Sequence, residues 1–460
     1  MKIWTKNSCR LHVLDLRRIS RQNLAITPPQ VVFFASVFLL LFSAFRWGFH
    51  LQILDRSLGF DSYRFFDNFQ IDSDLFAIGR LEQNQSSGVF SASFLSGLNG
   101  SYSSQFGLGM WMLTLIPSGL GLEVAAGASL MFTLTAAFNA AVSTIFVFIV
   151  NKVLSRGAAV VAVIGIMQPW SAAMNHSIYW IIGLKILPAL VLATLFSRRT
   201  HTDRGSLIAA FFFSILAFLS GYEFATVVMA SQIGVISYFS IKHGWNVRKS
   251  LLQVLKFVSV VILSFFSALC LHFLQLWNHF GSFQEANSKL IDTVVKNSGA
   301  NGFQVESWRL ESLQSSPIQV LSTYLSMPTL GSPQTYPLVS QLTVALLLVL
   351  VIMVGIYRLR FSGSDNLNSE LAITVTWFVT LIGPIGWYML ARPHSYVHTH
   401  INFALWYFPT VPLGLAIVFD GTAKGLKTLR TRPVLLFWVA FTLSIIVGSF
   451  VFSYIRASSS

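Results

Sequence analysis

Residues 124–150 read VAAGASLMFTLTAAFNAAVSTIFVFIV, 27 positions with no charged side chain. An α-helix rises about 1.5 Å per residue, so about 20 apolar residues cross the hydrocarbon core of a bilayer. This stretch is long enough to do so, and it sets the reading of the rest of the chain. Ten other runs read the same way: 30–49, 157–174, 178–197, 206–221, 223–241, 253–275, 338–357, 371–390, 401–419 and 434–454. The run 206–241 is almost continuous. It is divided at Gly221-Tyr222-Glu223 because a glutamate is costly at mid-membrane. The apolar stretch 106–118 is interrupted by Pro117, with Gly119 and Gly121 close behind, and reads as re-entrant or interfacial.

Composition agrees with this pattern. The 460 residues are 54% hydrophobic and only 10% charged, whereas a soluble domain is about one-quarter charged. A water-soluble globule is excluded, and so is a disordered chain, which needs the opposite composition. The expected fold class is all-α, a polytopic transmembrane helical protein of about 11 spans.

The net charge of +14 would suggest nucleic-acid binding in a soluble protein. Here it reads as topology. With the N-terminus inside, the segments 1–28, 151–156, 198–205, 242–252 with Lys256, 358–370 and 420–433 hold 21 of the 31 lysines and arginines. Twelve of the 17 acidic residues fall on the other side. The positive-inside rule therefore gives an N-in, C-out arrangement. Residues 1–29 read as a basic cytoplasmic segment, 30–454 as a single transmembrane domain and 455–460 as an outer tail. Two outer loops, 50–123 and 276–337, are long and are expected to carry interfacial helices. The first apolar run is too long for a cleavable signal core and lacks a small-residue cleavage site, so it reads as a retained span. Cys9 and Cys270, the two cysteines, fall in different settings, which excludes a disulfide framework.

The first outer loop concentrates acid. Asp55, Asp61, Asp67, Asp72, Asp74 and Glu82 give six carboxylates in 28 residues. Asp55, Asp61 and Asp67 read as the solvated face of an amphipathic interfacial helix, with Leu54, Leu58 and Phe65 towards lipid. Asp72-Ser73-Asp74 is the densest spot, and Leu75, Phe76 and Ile78 follow at helix-like spacing. Two carboxylates so placed can hold a hard divalent cation, Mg or Mn, or act as a general base. The plainer reading is a helix N-cap with no chemistry. Farther along, Tyr102 and Gln105 suit contact with a sugar, against the alternative of an ordinary loop. Asn84, Asn99 and Asn175 open N-x-S triplets, which matter only where the source glycosylates them.

A second polar group joins the ninth and tenth spans: Arg392-Pro-His-Ser-Tyr-Val-His-Thr-His400. Arg392, His394 and His398 suit a phosphate, and His400 suits a metal shared with Asp72 and Asp74. An interfacial loop without function is the competing reading. Lys185 lies inside the fourth span, where an ionisable residue is a functional candidate unless it snorkels to the interface. His176 and Glu223, at span ends, are further candidates for a shared polar cavity, with Asp61 and Glu82.

A polytopic chain with an N-in first helix, a long outer first loop and the Asp72-x-Asp74 motif resembles the GT-C superfamily of membrane glycosyltransferases, which use polyprenyl-phosphate sugars. The resemblance covers most of the chain in plan and only Asp72 and Asp74 in motif. The pair lies some 23 residues beyond Phe49, and Asp55 or Asp61 stands closer to where the family places its acid. The resemblance implies a lipid-linked sugar donor, a glycan or lipid-linked acceptor, and transfer by single displacement at the outer face. Asp72 or Asp74 would be the base or metal ligand, and Arg392, the 394–400 histidines and Lys185 the phosphate contacts. Membrane lipid is an expected partner and nucleic acid is not. The expected setting is the inner (cytoplasmic) membrane of a bacterium. The rival readings are an O-antigen polymerase or ligase, a lipid or solute transporter, and a non-enzymatic scaffold.

Overall fold

The computed structural model describes residues 27–48, 74–85, 104–198, 204–298, 310–330, 341–361 and 367–429. The described residues are helical, with one isolated bridge between Pro328 and Thr343. Six helices are long and apolar enough to cross a membrane: α1 (Pro28–Trp47), α4 (Val124–Val153), α9 (Ala225–Lys242), α10 (Val247–Phe280), α14 (Val344–Phe361) and α15 (Leu367–Leu390). Between them run α2 (74–85), α3 (Leu108–Gly119), α5 (Arg156–Ile166), α6 (Pro169–His176), α7 (Ile182–Arg198) and α8 (Arg204–Leu219). The chain continues with α11 (Phe283–Ser298), α12 (Leu310–Gln314) and α13 (Pro317–Ser326) after α10. After α15 come α16 (Arg392–Val397), α17 (Thr399–Asn402), a 3-10 turn (Phe403–Tyr407) and α18 (Thr410–Leu429). The protein is an all-helical membrane protein. The expected segment 434–454 and the acids Asp55, Asp61, Asp67 and Asp72 lie outside the described residues.

Local chemistry sets the helix ends. The Gln30 side chain accepts from the Thr27 N–H at 3.1 Å, ahead of Pro28 and Pro29. Gly48 closes α1 in the left-handed region at φ 57. Asn246 caps α10 by accepting from the Lys249 N–H at 2.8 Å, and Gly281 ends that helix at φ 68. With 34 residues, α10 is about 51 Å long, well beyond a hydrocarbon core of about 30 Å.

Three expected spans differ in the structure. The run 157–174 is not one helix but α5 and α6, bent by 73°. Gln168 precedes Pro169, and the proline ring holds it extended at φ −60, ψ 150. The run 178–197 begins later, at Ile182, after a turn through 177–181. The run 401–419 is displaced to Thr410–Leu429, because the polar and proline-bearing stretch 399–409 forms short turns. With 17 and 16 residues, α7 and α8 are apolar helices at about the lower length limit for a crossing. The stretch 106–118 forms the short helix α3 with Pro117 inside, as its interruption predicts.

The helices pack as neighbours in a bundle. α9 lies along α15, α1 along α4, α5 along α18, and α8 between α7 and α10. Small residues let α9 and α15 approach closely. A Cβ on Gly383 would stand 2.9 Å from the Val227 Cα, and Thr376 donates to the Gly234 carbonyl at 3.2 Å. Val31, Leu39, Ile208, Phe212, Leu251, Leu263 and Phe266 are exposed on the helices. So much exposed apolar surface would be untenable in water and suits contact with lipid.

The bundle has two polar ends. At one, Arg46 ties the end of α1 to the start of α4 through Thr133 and Ser129, both at 2.9 Å. At the other, Arg358 donates to Glu370 and Asp420, and Lys424 donates to Glu370 at 2.9 Å. Ser155, just beyond the far end of α4, bonds Asp420 into this second cluster. α15 starts there at Glu370 and runs back towards the first end. Its direction therefore places Arg392 and the histidines at the end that carries Arg46.

Candidate functional site

Asp74, from the acidic loop, lies in α2; Asp72 and Ser73 lie outside the described residues. The Asp74 side chain is buried at 2% exposure. It does not merely cap its own helix. Its Oδ1 accepts from Ser177 Oγ at 2.7 Å and from the Tyr179 N–H at 3.0 Å. Burial pushes the carboxyl up to about 7, against the lowering pull of the Ser177 hydroxyl and the Tyr179 and Ile178 N–H groups. A group that titrates there can take or give a proton near neutral pH. On the same helix Arg80 is fully buried, with Nη1 donating to Gln83 at 3.3 Å, and Glu82 is exposed.

The turn that receives Asp74 is held from several sides. His176, the last residue of α6, donates from Nδ1 to the Phe45 carbonyl at 2.7 Å and stacks on Phe132. Asn139 on α4 donates to the Asn175 carbonyl and accepts from the Gly183 N–H, bridging the two ends of the turn. Ile181 sits at φ 40. For a β-branched residue that conformation costs about 1–3 kcal/mol and persists only where the surroundings impose it. Its side chain packs where a Cβ on Gly109 would lie, at 2.2 Å, so glycine is required there.

Lys185 lies one turn into α7 and is fully buried, so it does not snorkel. Its Nζ donates to Ala217 O at 2.8 Å, Ser220 Oγ at 2.8 Å and Gly221 O at 3.0 Å. An ammonium has three N–H groups, and all three are used. Lys185 thus caps the C-terminal end of α8, where a cation is favoured. Its charge also interacts with that of Glu223, in the α8–α9 turn. Gln105 and Glu223 both approach Gly221, whose lack of a Cβ leaves room for them and allows its φ of 140.

The Arg392–His400 group is built by α15 to α17 with α12 and α13. Arg392 donates to the Leu313 carbonyl at 3.1 Å. Trp387 Nε1, which can only donate, bonds Asn402 Oδ1 at 3.3 Å. That fixes the Asn402 amide, whose Nδ2 donates to His394 Nδ1 at 3.0 Å. The proton of neutral His394 therefore sits on Nε2. The His394 and His398 rings lie 4.6 Å apart. The His400 side chain and Asp72 lie outside what is described. Among the described residues no three His, Cys, Asp or Glu side chains gather.

The structure thus joins Asp74 to the 177–181 turn and Lys185 to the end of α8, and places the Arg392 group at the same end of the bundle with partners of its own. Two other expectations change. Asn84 and Asn175 are buried, Asn84 bonded to Thr114, and do not present glycosylation sites. The second concerns His272: near the end of the run 253–275, it is buried inside α10 rather than at its surface. Ser177, Tyr179 and Ile181 carried no sequence signal beyond lying after a run of apolar residues. No family model, curated protein or solved structure matches the chain.

Proposed function

We propose that this protein is a membrane glycosyltransferase of the GT-C kind, moving a sugar from a polyprenyl-phosphate donor to a lipid-linked or cell-surface glycan. The observation that carries the reading is the placing of Asp74, a buried carboxyl held by Ser177 and the Tyr179 N–H at the polar end of a membrane bundle, where burial pushes it up to about 7. A base at such a place suits the activation of a hydroxyl. In the step, the Asp74 carboxylate takes the proton of the acceptor hydroxyl. The acceptor oxygen bonds the anomeric carbon as the bond from that carbon to the phosphate oxygen breaks. The electron pair leaves with the polyprenyl phosphate. Arg392 and the His394 Nε2–H, with His398, are the donors assigned to that phosphate. Lys185, with its donors on α8, is assigned to the scaffold. A divalent cation on Asp72, Asp74 and His400 is a separate arm of the test.

The same reading takes α5 with α6, α7, α8, α18 and 434–454 as crossings beside the six long helices. That gives eleven, with the N-terminus in the cytoplasm and the acidic loop outside, in a bacterial inner membrane. Its support is the end carrying Arg358 and Lys424, where Lys152, Arg156, Lys242, Arg248 and Lys249 also fall.

The test is the glycan profile, by mass spectrometry, of cells lacking the chain and resupplied with wild type, Asp72→Asn or Asp74→Asn, with and without a chelator. A product missing in the null cells, restored by wild type and not by Asp74→Asn, supports the proposal. An unchanged glycan profile in the null cells, or full restoration by Asp74→Asn, overturns it.

A further inference from the structure

The turn between α9 and α10 sits at the opposite end of the bundle from Asp74. It reads Lys242-His243-Gly244-Trp245-Asn246-Val247-Arg248-Lys249. Lys242, His243 and Arg248 are exposed, and Lys249 is half-buried. The charges are interleaved with rings. Lys249 Nζ stands 4.3 Å from the Trp245 ring centre, and Lys242 Nζ lies 5.3 Å from that of Tyr238. His243 stacks between Phe239 and Trp245. Partial burial, with the Lys242 and Lys249 charges, holds the His243 imidazole below its usual range. No carboxylate occurs anywhere from residue 224 to 284. Among the described residues, the two acids near this end, Glu370 and Asp420, are already paired with Arg358 and Lys424.

A second observation comes from α10 itself. Val247, Leu251, Leu255, Ile262 and Phe266 are exposed and fall four or seven residues apart, on one face of the helix. Val247, at 83% exposure, begins that face inside the basic turn. Lys256 is also exposed and is long enough to reach back along the helix towards the turn. An apolar face that starts directly beneath a cationic turn matches a molecule with acyl chains and an anionic head.

We propose that this turn is a binding site for an anionic phospholipid. Lys242, Arg248 and Lys249 meet its phosphate, and its acyl chains lie along the Val247–Phe266 face of α10. The aromatic rings hold the lysine stems in place, and the charge complementarity selects the head. The site is independent of the transferase reading.

The test is native mass spectrometry of the full chain in neutral detergent, titrated with phosphatidylglycerol or with phosphatidylcholine of the same acyl chains. Wild type is expected to retain phosphatidylglycerol in preference. The triple variant Lys242→Gln/Arg248→Gln/Lys249→Gln should bind it at least about tenfold more weakly, since each basic residue near an anionic surface contributes about 1 kcal/mol. Arg248→Gln alone, an exposed change that leaves the packing intact, should weaken it in the same direction. A control, Lys152→Gln/Arg156→Gln, removes two charges at the same end and should leave binding as in wild type. Three results overturn the proposal. They are equal retention of both lipids by wild type, equal loss in the control and the triple variant, and displacement of the lipid by millimolar inorganic phosphate, which would make this a free-phosphate site.

Discussion

Ser177 Oγ donates to Asp74 Oδ1 at 2.7 Å, across 103 residues of sequence. This bond locks the acidic loop after α1 to the strained turn ahead of α7, and it tunes the carboxyl on which the functional reading rests.

The Asp74 carboxyl sits at about 7 in the fold, against an ordinary value of 3.8. The folded state therefore holds this proton more tightly than the unfolded chain. Its contribution is full below about pH 4 and is lost as pH rises through about 7. The span of about three pH units corresponds to about 4 kcal/mol. Asp74→Asn, which cannot ionise, should gain on wild type in melting temperature as pH goes from 5 to 8. Thermal unfolding in detergent across that range measures it. A parallel pH dependence of both proteins would contradict it.

Lys185 satisfies three acceptors at the end of α8 and offsets the Glu223 charge. Lys185→Met should cost about 3–5 kcal/mol, because it leaves three acceptors at the end of α8 unpaired. Lys185→Met with Glu223→Gln should recover part of that loss. A double-mutant cycle on thermal stability reads the coupling.

At the far end, Arg358 and Lys424 share the same two carboxylates but not the same burial. The Arg358 side chain is 2% exposed and that of Lys424 51%. Arg358→Met should destabilise by about 3–5 kcal/mol, and Lys424→Met by no more than about 1 kcal/mol. Equal effects would mean that burial is not what gives this network its weight.

Gly383 faces Val227 where α9 and α15 meet, and a Cβ there would lie only 2.9 Å from the Val227 Cα. Gly383→Ala should cost about 1–3 kcal/mol through overpacking. Gly119→Ala, with open space around it, should change stability by less than about 0.5 kcal/mol. The two melting temperatures compare them directly.

Much of this was legible in the residues. The uncharged run 124–150 became α4, and the run 30–49 became α1 within two residues at each end. Asp74 lies in a helix where Leu75, Phe76 and Ile78 indicated one. The break in 157–174 was written in Gln168-Pro169 but was masked by the apolar residues on both sides. The role of Lys185 was not legible, because its partners lie 32 to 36 positions away on another helix. The same holds for Ser177 and Tyr179. Nothing local marks a serine as the donor to a carboxylate 103 residues earlier.

The central claim is that Asp74 is the base. The direct measurement is the pH profile of labelled-sugar transfer in membranes carrying wild type, Asp74→Asn or Ser177→Ala. The account predicts a rate that rises through about pH 7 in wild type and falls by about 10²–10⁴-fold in Asp74→Asn. The Ser177 hydroxyl holds the carboxyl down, so Ser177→Ala should move the rise to higher pH. A rate that is flat from pH 6 to 8, or an Asp74→Asn protein as fast as wild type, would contradict it.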